Sequence, residues 1–464
     1  MKNLFFAAAL FSLAFFAACD KKNDPEPQPP TTIEPTDTTP TRDTTPTTDT
    51  LGCGTKLDTT VVIKSDTVMI DLSTISENSD GDFTFNIVKQ LNTAENDNFF
   101  LSPISVKLAF AMLANGANNN SRTQIIEALG YKGKSINDLN NDCHNLISEW
   151  KKLNTENANR SEEFSKYGEG KYQQTIETAD AIWADVKYPL SENFIAQCNN
   201  YYDAEASTLN FANTDSALAV MNEWGNQKTH GMIPQMINKD DISNNVMTIL
   251  ANALYFKADW EKSFYEYLTK KADFTNEDQS KTKADMMQQQ SYFNYVRTES
   301  FAMVELPYSG TTCMDVILPS DGVSISQCIS NLSQSRFNAA IKEMSLKEIN
   351  LKLPKFDFNF KHNLIDIMKN LGMIDIFDGE KADLSLMGEK YDTAFVGKAF
   401  QVSRVSVDEE GTEAAAVTII AVEATSAPFN IVIPIEFNVN RPFIYIIRET
   451  KTNEILFIGK TIRM

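Results

Sequence analysis

The most informative pattern of apolar and polar positions lies near the C-terminal end of the chain. The run from Gln401 to Val407 alternates along its length and predicts a β-strand. An acidic pair and Gly411 follow, and a glycine is a natural place for the chain to leave a sheet. Every second residue after it is uncharged and none is large: Thr412, Ala414, Ala416, Thr418, Ile420 and Val422. Set in a strand, these six side chains would face one side.

The opposite face of this segment keeps acids only near its two ends. Glu413 and Glu423 flank Ala415, Val417 and Ile419, so charge remains only where water could reach it. This pattern suits a central strand that is buried on one face. The run Glu-Ala-Ala-Ala also favours a helix, and a short amphipathic helix leading into a hairpin is the alternative interpretation. A segment suited to both an exposed loop and a sheet interior indicates a two-state switch.

The first residues of the chain have the pattern of an export signal. Residues 1–18 combine one basic residue with an almost uncharged apolar run, which is too short for a membrane span. The stretch ending at Cys19 resembles a bacterial lipobox, with Phe16 where a smaller residue is usual. We therefore expect an exported lipoprotein of the cell envelope, at the outer membrane or cell surface, whose lipid on Cys19 is its membrane contact. Ordinary secretion with a free Cys19 is the alternative.

Composition divides the remaining chain into two parts. Residues 19–79 are rich in Pro, Thr and Asp, which predicts a solvated, extended spacer. Residues 80–464 are ordinary globular sequence, long enough for a large core. The formal net charge of −20 argues against nucleic acid as a partner and against electrostatic docking on anionic lipid.

Candidate catalytic and metal-binding groups are few and scattered. The three histidines, His144, His230 and His362, lie outside any nucleophile-elbow or zinc-type motif, and phosphate-binding glycine loops are absent from the sequence. The acidic run 409–413 lacks the alternating oxygen ligands of a calcium loop. Five cysteines remain besides Cys19 and show no paired spacing: Cys53, Cys143, Cys198, Cys313 and Cys328. We therefore expect no enzymatic activity, no cofactor, no metal, and buried thiols with at most one disulfide.

Several ordered blocks resemble one protein family. They are NFFLSPISVKLAFAMLANGA (98–117), NEWGNQKTHGMIPQMI (222–237), LANALYFKADWEKSF (250–264), ELPYSG (305–310), EEGTEAAAVT (409–418) and NVNRPFIYIIRETKTNEILFIGKTI (438–462). With them, residues 80–464 resemble the serpin family of protease inhibitors. The resemblance implies an α+β fold with three β-sheets surrounded by about nine helices. It also implies an exposed reactive-centre loop over about residues 409–438.

The resemblance further implies a mechanism in which the protein is cut once. A serine-type, and also a cysteine-type, endopeptidase cleaves the loop and is trapped as a covalent acyl-enzyme while the loop inserts into the central sheet. The expected state is a monomer, and the expected partner is the target serine protease. The rival interpretations are a non-inhibitory serpin acting as a surface binding module and a surface-layer or adhesion lipoprotein. A loop that never inserts has no reason to keep charges off alternate positions, which argues against the first rival.

The resemblance assigns a hinge and a gate for sheet opening. The hinge residues are Glu409, Glu410, Gly411, Thr412, Glu413, Ala414, Ala415 and Ala416. The gate maps onto Ser102, Ser105 and Asn222, with Gln401 where a histidine is usual. Gln401 is expected to hydrogen-bond Asn222 or Ser105. Without the resemblance, helix capping or core satisfaction would explain the two serines and Asn222.

The bond that the protease cuts is placed by counting. Fourteen residues on from Gly411, as the family spacing suggests, is the bond Thr425–Ser426, whereas counting back from Pro442 gives a bond near Ile431. We favour Thr425–Ser426. Because no Lys or Arg lies between Arg404 and Arg441, a trypsin-like pocket has no cation to bind there. The small and apolar residues suit elastase-like or subtilisin-like enzymes, and Phe429 would suit a chymotrypsin-like one.

Overall fold

The computed structural model describes residues 63–64, 69–72, 82–167, 173–242, 246–392, 394–412 and 432–464. These ranges belong to one compact unit that begins at Thr60. Several predictions fall outside the described residues and stay predictions. They concern the signal, Cys19, Cys53, the hinge from Glu413 to Ala416, and the bond Thr425–Ser426.

Nine α-helices lie within the described ranges. They are α1 Phe83–Ala94, α2 Pro103–Gly116, α3 Asn119–Ala128, α4 Ile136–Tyr167, α5 Glu192–Tyr202, α6 Thr214–Lys228, α7 Ile325–Asn331, α8 Gln334–Lys342 and α9 Ile365–Asn370. Side-chain caps define several of their starts. Ser191 and Ser324 each accept a hydrogen bond from a backbone N–H of the first turn, as N-cap residues do. No helix within these ranges is long and apolar enough to span a bilayer.

Eighteen strands lie within the same ranges. In chain order they are β1 Ile63–Lys64, β2 Met69–Ile70, β3 Phe99–Leu101, β4 Gln174–Asp185, β5 Glu205–Leu209, β6 Thr248–Asp259, β7 Lys270–Thr275, β8 Lys281–Thr298, β9 Phe301–Pro307, β10 Thr312–Pro319, β11 Ser345–Pro354, β12 Phe356–Asn363, β13 Phe400–Val407, β14 Gly411–Thr412, β15 Val432–Ile433, β16 Ile435–Asn438, β17 Phe443–Glu449 and β18 Ile455–Thr461. The predicted strand at 401–407 is confirmed as β13.

The strands form three sheets. A ten-stranded sheet has the order β16-β11-β8-β9-β10-β17-β18-β3, with β2 and β7 also paired to β8. A six-stranded sheet has the order β12-β13-β14-β6-β4-β5, and β1 pairs with β15 in a third, two-stranded sheet. The α+β fold with three sheets and about nine helices is therefore confirmed for the part of the chain that the structure describes.

The main hydrophobic core includes one face of the six-stranded sheet. Along β6, Phe256 and Ala258 belong to this core, whereas Ala251 and Ala253 belong to a second cluster that includes residues of α6. In the second cluster the rings of Trp183 and Trp224 meet edge to face, with 5.3 Å between centroids. The six-stranded sheet is therefore buried on both faces, as a central sheet requires.

The folded unit begins earlier than the expected boundary at residue 80. β1 and β2 lie inside the segment 19–79, and both pair with strands of the folded body. Ile70 and Leu72 are half-buried against the main core. The Pro and Thr content of the spacer masked two short runs, VVIK and VMIDL, whose β-branched and apolar residues suit strands.

Candidate functional site at the seam of the six-stranded sheet

The six-stranded sheet has a seam between β6 and β13. These two parallel strands share no direct ladder along their described lengths, and β14 joins them at one end. Thr412 pairs with Val407 on one side and with Ala258 on the other, antiparallel in both cases. The expectation that the chain leaves the sheet at Gly411 is therefore wrong, because Gly411 and Thr412 are themselves sheet residues.

A tight turn returns the chain from β13 into the seam. Asp408 N donates to Gly411 O at 3.0 Å, and Asp408 Oδ1 accepts from the backbone N–H groups of Glu410 and Gly411. An aspartate that accepts from nearby backbone groups stabilises such a turn. Trp260, the residue after β6, supports this turn: its Nε1 donates to Asp408 O at 2.9 Å, and its backbone N donates to Glu410 O at 2.8 Å.

Gly411 allows the turn to approach β6. A Cβ atom at this position would lie 2.2 Å from Ala258 O and 2.8 Å from Asp259 Cα. Both are backbone atoms, which cannot move away as a flexible side chain could. Only glycine therefore fits here, and the close approach gives a physical reason for the glycine that the sequence pattern singled out.

Thr412 is the first hinge side chain on the core side of the seam. It is buried, and its Oγ1 lies 2.6 Å from the hydroxyl of Tyr308. The ring of Tyr308 stacks on Trp260, with 4.4 Å between centroids. Burial raises the pKa of Tyr308 above its ordinary value, so the phenol stays neutral and can share a hydrogen bond with a neutral hydroxyl.

Glu409 fixes the start of the hinge to Lys355, which joins β11 to β12, and to the segment before β7. Its carboxylate accepts from Lys355 Nζ at 2.5 Å and from Thr269 Oγ1 at 2.7 Å, and its carbonyl accepts from Phe264 N at 2.7 Å. Burial opposes the charge, but the hydrogen bonds from Lys355 and Thr269 lower the pKa of Glu409 below its ordinary value. Glu409 is therefore a buried anion with two partners.

Beside Thr412 the seam contains a cavity of about 20 Å³. Phe256 on β6 and Val405 on β13 line it, and Phe457 of the ten-stranded sheet lines it on the core side. Met232 and Ile233, which follow α6, also line it. This volume is about enough for one water molecule, so the seam is narrow but incompletely packed.

The gate residues are only partly brought together. Gln401 accepts from Ser102 N at 2.9 Å and donates to Ser102 O at 3.1 Å. Ser102 in turn caps α2, since its Oγ accepts from Ser105 N at 3.2 Å. Asn222 instead accepts from the backbone N–H groups of Met236 and Ile237 and donates to Ile237 O.

The expected bond from Gln401 to Asn222 or Ser105 is therefore replaced by a pair of bonds to the backbone of Ser102. An amide side chain carries both a donor and an acceptor, which match the N–H and C=O of one residue. The role of Ser102, Ser105, Asn222 and Gln401 in sheet opening stays a prediction.

Sequence reasoning missed the residues that hold the hinge. Trp260 and Tyr308 lie in two of the blocks that resemble the family, 250–264 and 305–310, but no pattern in the sequence links them to the hinge. Lys355 and Asp408 gave no signal of their own. Their contacts with the hinge depend on the arrangement of strands, which local patterning does not encode.

The cysteines and the acid cluster away from the hinge are buried or paired with other side chains of the protein. Cys143, Cys198, Cys313 and Cys328 are unpaired and buried, and burial raises the pKa of the Cys328 thiol to about 12. Among the described residues, the acids Glu305 and Asp315 lie with Cys313 in the one group close enough to share a metal ion. The guanidinium of Arg448 pairs with both acids, with its Nε 2.6 Å from Asp315 Oδ2. A cation would have to displace this buried partner.

The described part of the chain combines α-helices with three β-sheets, and a short hinge strand lies between two parallel strands of the central sheet. This arrangement is that of the serpin class of fold. The family model described as Serpin (serine protease inhibitor) matches residues 78–464. The chain belongs to the serpin family.

Relatives and solved structures agree with this assignment. The chain is 30% identical to the leukocyte elastase inhibitor of Xenopus tropicalis, over 82% of this chain and 96% of that protein. The thermophilic serpin tengpin, solved in its native state, is 27% identical with a TM-score of 0.71, covering 87% of this chain and 100% of that one. A thyroxine-binding globulin in complex with thyroxine has the same TM-score, 0.71, at 22% identity, covering 83% and 98%. The last likeness shows the fold alone.

Proposed function

We propose that this protein inhibits serine-type endopeptidases by a single cleavage after its hinge, followed by covalent trapping and insertion of the hinge into the seam. Cysteine-type enzymes are a secondary target class. One observation carries the proposal: Gly411 and Thr412 lie between β6 and β13, antiparallel to both. A strand begun in this direction can continue by pairing with both neighbours.

The register of β14 indicates where the next residues would go. Thr412 pairs with Ala258 and Val407, so continuing by two residues brings Ala414 between Phe256 and Val405. These two side chains line the cavity in the seam. A small side chain at this position could enter with little rearrangement, whereas a charge would have to be buried without a partner.

The same register accounts for the other face. Glu413 would lie beside Lys257, and Val417 would lie between Ala253 and Val402. Ala253 and Val402 belong to the cluster that includes residues of α6. The acid would thus meet a cation near the end of the sheet, and the apolar residue would be covered by a helix.

Inhibition requires the cleaved loop to insert into the seam faster than water hydrolyses the acyl-enzyme. The protease serine oxygen bonds to the carbonyl carbon of Thr425, the Thr425–Ser426 bond breaks, and Ser426 leaves as an amine carrying the hydroxyl proton. Water would then cleave the ester and free the enzyme. Each backbone hydrogen bond of an inserted strand contributes about 1 kcal/mol net. These gains are absent until the chain is cut, and insertion would deform the attached enzyme before water acts.

The target class follows from the composition of the loop. Residues 405–440 contain no Lys or Arg, so an enzyme with a buried acid in its specificity pocket finds no cation. Small side chains around Thr425 suit elastase-like and subtilisin-like enzymes. The similarity to a protein named leukocyte elastase inhibitor supports elastase-like enzymes as the first to test.

We also propose that the inhibitor is a monomer held at the cell envelope by a lipid on Cys19. The support is the apolar run before Cys19 and the Pro/Thr-rich composition after it. Labelling with a radioactive fatty acid tests this directly: Cys19→Ser should abolish incorporation, and Cys53→Ser should leave it unchanged.

A denaturing gel tests the inhibitory function. Purified protein is incubated with pancreatic or neutrophil-type elastase, and a detergent-stable band at the summed mass is expected. Mass spectrometry should then show that the released C-terminal fragment begins at Ser426. Cleavage without a covalent complex would instead indicate the alternative function, a non-inhibitory serpin that acts as a binding module.

A further inference from the structure

A buried carboxyl group lies in the six-stranded sheet, on the far side of β6 from the seam. Asp180 of β4 is 2% exposed and lies opposite Asn252 of β6 in the antiparallel ladder. Both side chains lie on the core side of the sheet, because Ala181 and Ala251, their neighbours along the strands, belong to the cluster on the α6 side. Asn252 Nδ2 donates to Asp180 Oδ1 at 2.7 Å and lies 3.5 Å from Thr178 Oγ1. Side chains as well as backbone therefore join β4 to β6 here.

Two oxygen atoms of this pair have no hydrogen-bond partner among the described residues. They are Asp180 Oδ2 and Asn252 Oδ1, and both are shielded from solvent. A buried polar atom without a partner is costly, and a carboxylate oxygen and an amide oxygen can only accept. A proton on Asp180 Oδ2 would convert one of the two acceptors into a donor. The neutral acid and the amide are then complementary, with one N–H···O bond and one O–H···O bond.

The groups around Asp180 supply no compensating positive charge. Cys143 of α4 and Cys198 and Tyr202 of α5 interact with it electrostatically, and burial raises the pKa of each, to about 12 for both thiols. These three groups are therefore neutral near pH 7. Lys107 of α2 acts on Cys143, and no Lys, Arg or His side chain in the described ranges forms an ion pair with Asp180.

Burial has a direct consequence for this carboxyl group. It raises the pKa of Asp180 to about 7, and the hydrogen bond from Asn252 opposes the rise only in part. The pKa of an aspartate in an unfolded chain is about 3.9. Between these two values the folded protein binds a proton that the unfolded chain releases. The resulting stabilisation is fully present below the unfolded value, decreases as the pH rises, and is lost above the folded value.

We propose that Asp180 and Asn252 form a proton-binding acid–amide pair, in which the protonated carboxyl and the carboxamide join β4 to β6 by two hydrogen bonds. The pair makes the uncut protein more stable in mildly acidic solution than in alkaline solution. β6 is also one wall of the seam, so the proton acts on a strand to which β14 is paired. This inference does not depend on the proposed function, because it concerns the uncut protein alone.

An amide at position 180 tests the pair. Asp180→Asn keeps the shape of the side chain and can form the same two hydrogen bonds at every pH. Unfolding constants of the unaltered protein and of the variant are measured in urea at about pH 5.5 and about pH 8.5. Other titrating groups are the same in both proteins, so their effects cancel in the ratio. The unfolding constant of the unaltered protein, relative to that of the variant, is expected to rise at least about tenfold from the lower to the higher pH.

Asp185→Asn is the matched control, on the same strand. Asp185 is also buried, but its two oxygens accept from the backbone N–H groups of Lys187 and Phe211 at 3.0 and 2.9 Å. An amide there replaces a needed acceptor by a donor, so the control should be less stable than the unaltered protein by a similar factor at both pH values. A ratio for Asp180→Asn that is the same at both pH values would overturn the acid–amide pair.

A spectroscopic readout and an exchanged pair complete the test. Infrared difference spectra, unaltered protein minus Asp180→Asn, should show the C=O stretch of a protonated carboxyl at about pH 5.5 and not at about pH 8.5. Absence of this band at the lower pH would overturn the proposal, whatever the stability of the variant. Asp180→Asn combined with Asn252→Asp exchanges acid and amide between the strands and should restore both the band and the pH dependence. Failure to restore either would overturn the pair as the proton-binding unit.

Discussion

The hydroxyl of Tyr308 lies 2.6 Å from Oγ1 of Thr412, on the core side of the six-stranded sheet. Tyr308 belongs to the segment that follows β9, and Thr412 belongs to the hinge, so this contact joins the hinge to the body of the protein. Position 412 accommodates a small neutral side chain whose hydroxyl is hydrogen-bonded to Tyr308. It does not accept a charge, because Thr412 is 2% exposed.

Thr412→Arg is therefore expected to convert the inhibitor into a substrate. Because residue 412 already lies in the seam of the uncut protein, a guanidinium without an acid partner there costs about 3 kcal/mol or more and drives the hinge out of the seam. The same cost then slows its return after cleavage and lets water release the enzyme. The ratio of covalent complex to cleaved chain, measured by densitometry, should fall at least about tenfold. Thr412→Ser keeps the hydroxyl and should keep the ratio. A full yield of complex from the arginine variant would contradict the insertion mechanism, and Ala414→Glu should behave like Thr412→Arg.

Gly411→Ala should expel β14 from the seam. The new Cβ would collide with Ala258 O, so the backbone bonds of β14 are lost at about 1 kcal/mol each. We expect the free energy of unfolding of the intact protein to fall by about 2 kcal/mol, measured by urea denaturation. Gly397→Ala is the matched control, because a Cβ there meets a ring carbon of Phe395 at an ordinary 3.8 Å. Equal stability of the two variants would contradict the close approach.

The Glu409–Lys355 pair predicts an acid-sensitive hinge. The pKa of Glu409 in the folded protein is lowered, so its contribution to stability is present above the ordinary glutamate pKa, about 4.3. That contribution is lost as the pH falls through the lower, folded value. Thermal midpoints of the unaltered protein and Glu409→Gln should therefore differ at neutral pH and converge in acid. Glu410→Gln is the control, and a difference between Glu409→Gln and the unaltered protein that persists in strong acid would contradict the prediction.

His362 predicts a second pH dependence, which arises from burial and not from favourable partners. Burial lowers the pKa of His362, although the nearby carboxylate of Glu95 opposes this shift. The unfolded chain therefore binds a proton more readily, and stability should decrease as the pH falls below the ordinary histidine pKa, about 6.5. His362→Phe should flatten the thermal midpoint between about pH 6.5 and the lower folded value. An unaltered slope in His362→Phe would refute this assignment.

The sequence predicted local strands better than their partners. The alternation at 401–407 correctly predicted β13, because one buried and one covered face impose a period of two. Gly411 was expected to end the sheet, since its freedom of conformation suits a departing chain. Its actual role depends on Ala258 and Asp259, about 150 residues earlier in the chain, and no local pattern can reveal such a neighbour.

The gate and the spacer show the same limit in different ways. The sequence predicts a side-chain partner for Gln401. In the structure its amide binds the backbone of Ser102, which supplies both a donor and an acceptor. The strands β1 and β2 were hidden by the composition around them, because averaging over 19–79 conceals runs of two residues that pair only where an open edge is available.

The cavity between Phe256 and Val405 gives the two arrangements of this protein different volumes. A strand that filled the seam would remove the void, so the loop-inserted form would displace less solvent than the form with an empty seam. Hydrostatic pressure favours the denser arrangement of a molecule. Compression should thus act on this protein in the same direction as cleavage of its loop, by promoting closure of an internal gap.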